Sequence, residues 1–166
     1  MSSTKLNPTR ALVVIPSDNC NVPSPNVLSS GVSTDTVTNQ LVTVNGEFSS
    51  SDGIYKVNTG DVVYNTTTNE AATIVKVINK DTLLLNADIF LSGEQFVIYQ
   101  EGPTTGQGNQ GCLLYIGGTT GVGDLHITTI GGDDITIGKI QSGILNIQVK
   151  KVWKDTVSIE QIFALW

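Results

Sequence analysis

An all-β architecture, an antiparallel β-sandwich of jelly-roll type with a small β-barrel-like module inserted into it, is expected from three features of this 166-residue chain. Its 17 glycines stand among abundant Val, Ile, Thr, Asn and Ser, while charged residues make up only 14%. That balance suits pleated strands and tight turns, whereas a helical bundle needs the Ala, Glu, Lys and Leu that are scarce here. Apolar residues recur at alternate positions in short runs. Turn pairs such as Asn45-Gly46 and Gly131-Gly132 separate those runs.

The first run, Arg10–Ile15, is a short strand. Pro16, Pro23 and Pro25 follow it and forbid a continued helix or a central strand, so the chain is expected to leave as an extended arm. The polar stretch Ser29–Asn39 reads as a connector. Leu41–Val44 is a short strand closed by Asn45-Gly46, and Ile54–Val57 follows Asp52-Gly53. Gly60-Asp61 introduces Val62–Tyr64, and Asn65–Asn69 turns the chain into Ala72–Ile78, which alternates as a half-buried strand. Asn79–Asp81 leads to Thr82–Leu85, and Gln95–Tyr99 is the last strand of this stretch. Ala87–Leu91 between them is the one helical or irregular candidate, too short to nucleate alone.

Glu101–Gly111 is rich in Gly, carries a proline and has no large apolar residue, so it is expected to be an exposed crossing. Beyond it, Cys112–Ile116 forms a strand that Gly117-Gly118 is expected to end. In Asp124–Ile130, Leu125 and Ile127 alternate with His126 and Thr128, which predicts one buried and one wet face. Gly131–Asp134 is a hairpin connection to Ile135–Ile137, and Leu145, Ile147 and Val149 share a face of Ile144–Lys150. The apolar C-terminus, Ser158–Trp166, must be tied into a sheet. The resulting division is a sandwich base domain of residues 1–28 with 102–166 and an inserted module at 29–101, two small cores rather than one.

Composition limits the partners. Nine Lys and Arg face 15 acids, a formal charge of −6, so no nucleic-acid partner is expected. No stretch approaches a membrane span, and the N-terminus shows no apolar secretory core. Cys20 and Cys112 have no Cys or His at ligand spacing and are expected to be buried thiols, with no metal.

Little in the sequence carries chemistry. His126 is the single imidazole, and no Gly-x-Ser-x-Gly nucleophile accompanies it. Asp124, Asp133 and Asp134 lack the oxygen-rich spacing of a calcium loop, and a hairpin after Gly-Gly itself favours Asp. Gly121-Val-Gly123 lacks the context of a phosphate cradle. Asp52, Asp61 and Asp88 have no spacing that makes a carboxylate pair for glycoside hydrolysis. Aromatic residues leave two readings open. Tyr55, Tyr64 and Tyr99, with Phe90 and Phe96, are either the module's core or a platform on which sugar rings stack. Trp153 and Trp166 are either core or subunit contacts.

The C-terminal pattern resembles a module of tailed-phage virion proteins, found also in the head-spike base protein of gene transfer agents. The residues that carry the likeness are Leu114-Tyr-Ile-Gly-Gly118, Gly123-Asp-Leu-His-Ile-Thr-Thr-Ile-Gly-Gly-Asp-Asp-Ile-Thr-Ile137, Gly143-Ile-Leu-Asn-Ile-Gln-Val-Lys-Lys-Val-Trp153 and Ile159–Trp166. Thr9–Asp18 is similar to that family's opening Pro-Ser-Asp segment, and residues 40–101 resemble an insert of marine phage structural proteins. Asn146 stands where the family has Pro, and Lys154–Ser158 replaces a Gly-Thr-Thr-Ala-Thr turn. The resemblance implies a non-enzymatic virion protein of the capsid decoration or head-spike-base type, without cofactor. It would sit on the particle, be made in the host cytoplasm, and contact the major capsid protein or head-spike and tail proteins. Tail, neck or baseplate location and host-glycan binding are the alternatives. Virion components also imply a homo-oligomer. The expected contacts are the arm at Pro16, Pro23 and Pro25, the strands Gln95–Tyr99 and Ile144–Lys150, and Trp153 and Trp166.

Overall fold

A computed structural model describes residues 8–49, 53–103 and 111–166. Among them are eleven strands and no helix, in two sheets, an all-β architecture consistent with the expected sandwich. The chain divides into two compact units, Asn19–Gly102 and the flanking Met1–Asp18 with Pro103–Trp166.

The unit Asn19–Gly102 is a curled six-stranded sheet. Its strands are β2 (Val27–Val32), β3 (Gln40–Val42), β4 (Val62–Asn65), β5 (Glu70–Asn79), β6 (Thr82–Leu85) and β7 (Gln95–Tyr99), in the order β2-β7-β4-β5-β6-β3. All five pairings are antiparallel. The sheet curls until its edges meet at one end, where Thr34 N–H donates to Val42 O at 2.8 Å and the Thr43 hydroxyl donates to Val32 O at 2.8 Å. Inside lie Phe48, Phe96 and Phe90, with ring centroids 6.1 and 6.4 Å from Phe96, packed with Leu41, Ile74 and Ile98.

Three elements differ from expectation. Val27–Val32 is a strand although its Ser-Ser-Gly centre has weak β preference, because pairing with β7 from Val27–Tyr99 to Val32–Gln95 imposes it. Ile54–Val57 is not a strand and keeps one bridge, Ser49 with Tyr55. Residues 19–28 pack with the module: Thr73 and Asn86 side chains donate to Asn19 O, and Ser24 N–H donates to Gln100 O. The unit therefore begins at Asn19 rather than Ser29, and it ends at Gly102, where a Cβ would stand 1.9 Å from Val22 O. Ala87–Phe90 is irregular.

The flanking unit holds β1 (Ala11–Val13), β8 (Cys112–Thr129), β9 (Asp134–Ile140), β10 (Gly143–Val152) and β11 (Val157–Leu165). Its sheet runs β1-β11-β8-β10, with β9 also on β8. The C-terminus is tied in as expected, by β11 between β1 and β8 and by Arg10 N–H donating to Trp166 O at 3.1 Å. Gly117-Gly118 does not end a strand. β8 continues through this glycine-rich stretch to Thr129, and β11 answers with register shifts between Val157 and Ile162. Partners fall along β8 as β10 advances: Gly143 and Leu145 oppose Ile116 and Leu114, and later Lys151 and Val152 oppose Thr128 and Ile127. Val149 partners both Cys112 and Thr129, so the two ends of β8 flank β10. The buried side holds Leu12, Ala164, Ile162, Leu114, Ile116 and Val149. Residues 104–110 of the expected crossing, Asp52 and the first seven residues lie outside the described residues.

Candidate functional site

Strand alternation that sends Leu12, Leu114 and Ala164 inward sends their neighbours outward. Register then aligns four of these across the sheet of the flanking unit: Val13 opposes Phe163, Phe163 opposes Tyr115, and Tyr115 opposes Ile144. The Tyr115 and Phe163 rings lie 6.2 Å apart. Val13, Tyr115 and Ile144 are 48%, 39% and 63% exposed, so a charge-free apolar row crosses the open face. None of the four was singled out from sequence. The available signal was Cys112–Ile116, apolar at both phases of its alternation, which implies a strand with something to cover on each side.

A second cluster gathers around Trp153, which is half-buried. Its indole N–H donates to the Thr128 hydroxyl at 2.9 Å, and that hydroxyl donates to the Asp134 carboxylate. The His126 imidazole stacks on the indole with centroids 5.2 Å apart and planes 16° apart. Lys151 Nζ lies 3.6 Å from the indole centroid and donates to Asp18 O at 2.9 Å. His126 Nδ1 lies 2.7 Å from Asp155 Oδ1, and Thr156 accepts the His126 N–H and donates to its carbonyl. His126 is thus bound on an edge and a face, with no Ser or Cys side chain among these partners. Thr128, expected on the wet face, is buried by this arrangement. Asp133 is engaged by Thr129 within the β8–β9 turn, and Asp124 accepts from the Lys139 N–H across the β8–β9 pair. No cluster of metal-ligating side chains occurs among the described residues.

The three tyrosines part company. Tyr64 is 3% exposed and belongs to the module's packed interior, and Tyr99 is half-buried with its ring edge-on to Tyr64, centroids 5.2 Å apart. Burial pushes the Tyr99 phenol above its ordinary range. Burial closes Tyr64 to sugar stacking, whereas Tyr99 keeps part of its ring exposed. Tyr55 is 54% exposed and lines an open cleft of about 300 Å³ with Val57, Asn58, Thr59, Lys76 and Val77. The segment carrying it is pinned on both sides by Phe48 and Val57, each fully buried, and by Lys56 N–H donating to Phe48 O at 3.0 Å. Lys76, Asn58 and Thr59 were not among the residues read from sequence, because the loop and strand that bring them to Tyr55 are distant along the chain.

In the arm, Pro23 is buried while Pro16 and Pro25 are half-buried, so Pro23 is withdrawn from any docking surface. Trp166 is half-buried with its N–H donating to Arg10 O at 3.0 Å. Cys20 and Cys112 are buried and not joined in a disulfide, and the Cys112 thiol donates to Val149 O at 3.3 Å. No helix among the described residues is long and apolar enough to cross a membrane. Comparison with known proteins finds no matching family model, curated protein or solved structure.

Proposed function

We propose that this chain is a non-enzymatic structural protein of a tailed-phage particle, a capsid decoration or head-spike-base protein whose copies meet through the outer face of the β1-β11-β8-β10 sheet. The apolar row Val13, Phe163, Tyr115 and Ile144 carries the reading, together with the likeness of these same strands to the phage family. A row without charge can meet its own copy, since like surfaces then have nothing to repel. It is small against the roughly 800 Å² per partner of a stable dimer. Such a contact holds when copies are already tethered side by side at high effective concentration, as on a capsid shell, and not in dilute solution. The half-buried Pro16 and Pro25 leave the arm as the element that would reach the major capsid protein.

Gold labelling of intact particles with an antibody to the chain tests the location. Label on the head surface is the expected outcome. Label confined to tail, neck or baseplate overturns the decoration role, and unlabelled particles overturn the virion reading. Ile144→Lys, at a 63% exposed position, is expected to leave the fold intact and to lower the copy number on assembled heads. Unchanged occupancy would remove the sheet face from assembly.

A further inference from the structure

The geometry points to the Tyr55–Lys76 cleft as a binding site for an acidic sugar, one monosaccharide ring bearing a carboxylate. This inference stands apart from the particle reading and rests on the module alone. A cleft of about 300 Å³ lies at the lower end of the range for small-molecule sites, large enough for about one ring. Its walls pair an exposed aromatic ring with polar side chains, of which Thr59 is engaged by the module itself. Among the described residues the Tyr55 hydroxyl, the Asn58 amide and the Lys76 ammonium have no internal partner. Sugars present this same combination, C–H faces that pack on an aromatic ring and hydroxyls at the rim that exchange hydrogen bonds.

The charge of the ligand follows from the lysines. Three lie in Asn19–Gly102: Lys56 is held by Glu47 at 2.9 Å, Lys80 is held by Asp81, and Lys76 has no carboxylate partner among the described residues. None of the described residues lining the cleft is acidic. The chain's net charge of −6 opposes an anion at long range, but salt screens it beyond about 8 Å at physiological ionic strength. Within the cleft the unpaired ammonium decides. The cleft floor is anchored, because Val57 is fully buried and the Thr59 hydroxyl donates to Val75 O at 3.3 Å, which limits the ordering entropy lost on binding.

Titration of the full chain with glucuronate, and separately with glucose, followed by backbone amide NMR shifts, tests this. Saturable shifts at residues 54–59 and 75–77 are expected, with glucuronate bound about tenfold tighter than glucose, the scale of one charge-assisted hydrogen bond. Lys76→Gln should abolish the preference and Tyr55→Ala should weaken both sugars, whereas Tyr55→Phe keeps the stacking and the preference. Both positions are exposed, so the variants' remaining amide shifts should superimpose on those of the unaltered protein. Equal affinity for the two sugars overturns the acidic assignment. Absence of saturable binding, or shifts centred elsewhere, overturns the site. Neither outcome touches the particle reading, which labelling of virions decides.

Discussion

Replacing Asn65 is expected to unfold the inserted module more readily than replacing any residue on its surface. Asn65 is fully buried at the end of β4, and its side chain fills all four of its hydrogen-bonding positions. Nδ2 donates to Ile89 O at 2.6 Å and to Glu94 Oε2 at 2.7 Å, while Oδ1 accepts from Thr67 N at 3.0 Å and Thr68 N at 3.1 Å. Glu94 also accepts from Leu91 N at 2.7 Å, so one amide fastens both the β4–β5 turn and the irregular segment before β7. A neutral hydrogen bond nets about 0.5–1.5 kcal/mol and one to a charged group about 1.5–3. In Asn65→Ala the N–H groups of Thr67 and Thr68, on exposed residues, regain water, so their loss counts at the low end; Ile89 O is left without its partner beside buried side chains. The expected loss is about 3 kcal/mol, a large part of a small module's stability. Asn65→Asp keeps both turn acceptors but sets a carboxylate against Ile89 O and Glu94, and its deficit should exceed that of alanine at neutral pH. It should narrow towards pH of about 4, where a protonated carboxyl can donate again. Both tryptophans lie in the flanking unit, at 153 and 166, so the assay is urea denaturation followed by near-UV tyrosine ellipticity, which reads Tyr64 and Tyr99. An alanine variant that loses less than about 1 kcal/mol would refute the view that this amide holds the segment.

Two further outcomes test the packing and ionisation of the same module. Gly46→Ala should destabilise it by about 1–3 kcal/mol in urea melts, because a Cβ would stand 2.6 Å from Thr43 Cγ2 and 2.9 Å from the buried Phe48 ring; a neutral effect would mean that the loop shifts freely. Burial raises the Tyr99 phenol above its unfolded value, so its neutral form is favoured on folding and its contribution holds below pH of about 10 and is lost as pH rises through the folded pKa. Alkaline absorbance titration should show a late-ionising fraction whose amplitude Tyr99→Phe lowers by one tyrosine, and a variant with unchanged late amplitude would assign the raised phenol elsewhere.

Local pattern is a good guide where strands are local, and it fails where pairing is not. Val62–Tyr64, Thr82–Leu85 and Gln95–Tyr99 are legible because β-branched or aromatic runs lie between Gly, Asn and Asp turns, and the structure places β4, β6 and β7 there. Val27–Val32 carries no such run, and its strand exists because β7 offers a free edge along Phe96–Tyr99. Gly117-Gly118 carries a stop signal that is overruled for the opposite reason: β11 and β10 supply partners on both sides of this glycine-rich stretch. The Tyr55 cleft was half legible. An exposed tyrosine beside a turn can be read from sequence, but its meeting with Lys76 depends on β5 running past the end of β4, whose last partner on it is Glu70 at one end and Thr73 at the other.

That overhang explains why a binding surface arises in this module at all. β5 has ten residues and β4 four, so beyond Thr73 the edge of β5 that β4 would cover is faced instead by the loop 53–61. Gly60 N–H donates to Ile74 O, Ile74 N–H donates to Asp61 O, and the Thr59 hydroxyl donates to Val75 O, so the loop substitutes for a strand over two residues and then parts from it. Where loop and strand part, backbone on one side and side chains on the other leave a concave gap, and Lys76 and Val77 stand at its edge opposite Tyr55. A sheet that paired fully would have closed this gap with hydrogen bonds and left a flat edge. The apolar row of the flanking unit has a different origin, since direct cross-strand partnering across four strands lines up Val13, Phe163, Tyr115 and Ile144, even though the β10–β8 register shifts on either side of Ile144. Side chains lined up across paired strands favour contact with another surface, and a gap where pairing stops favours a small ligand. The two units therefore differ in what they can bind by where pairing continues and where it stops, more than by residue types that a chain with 14% charge supplies sparingly to both.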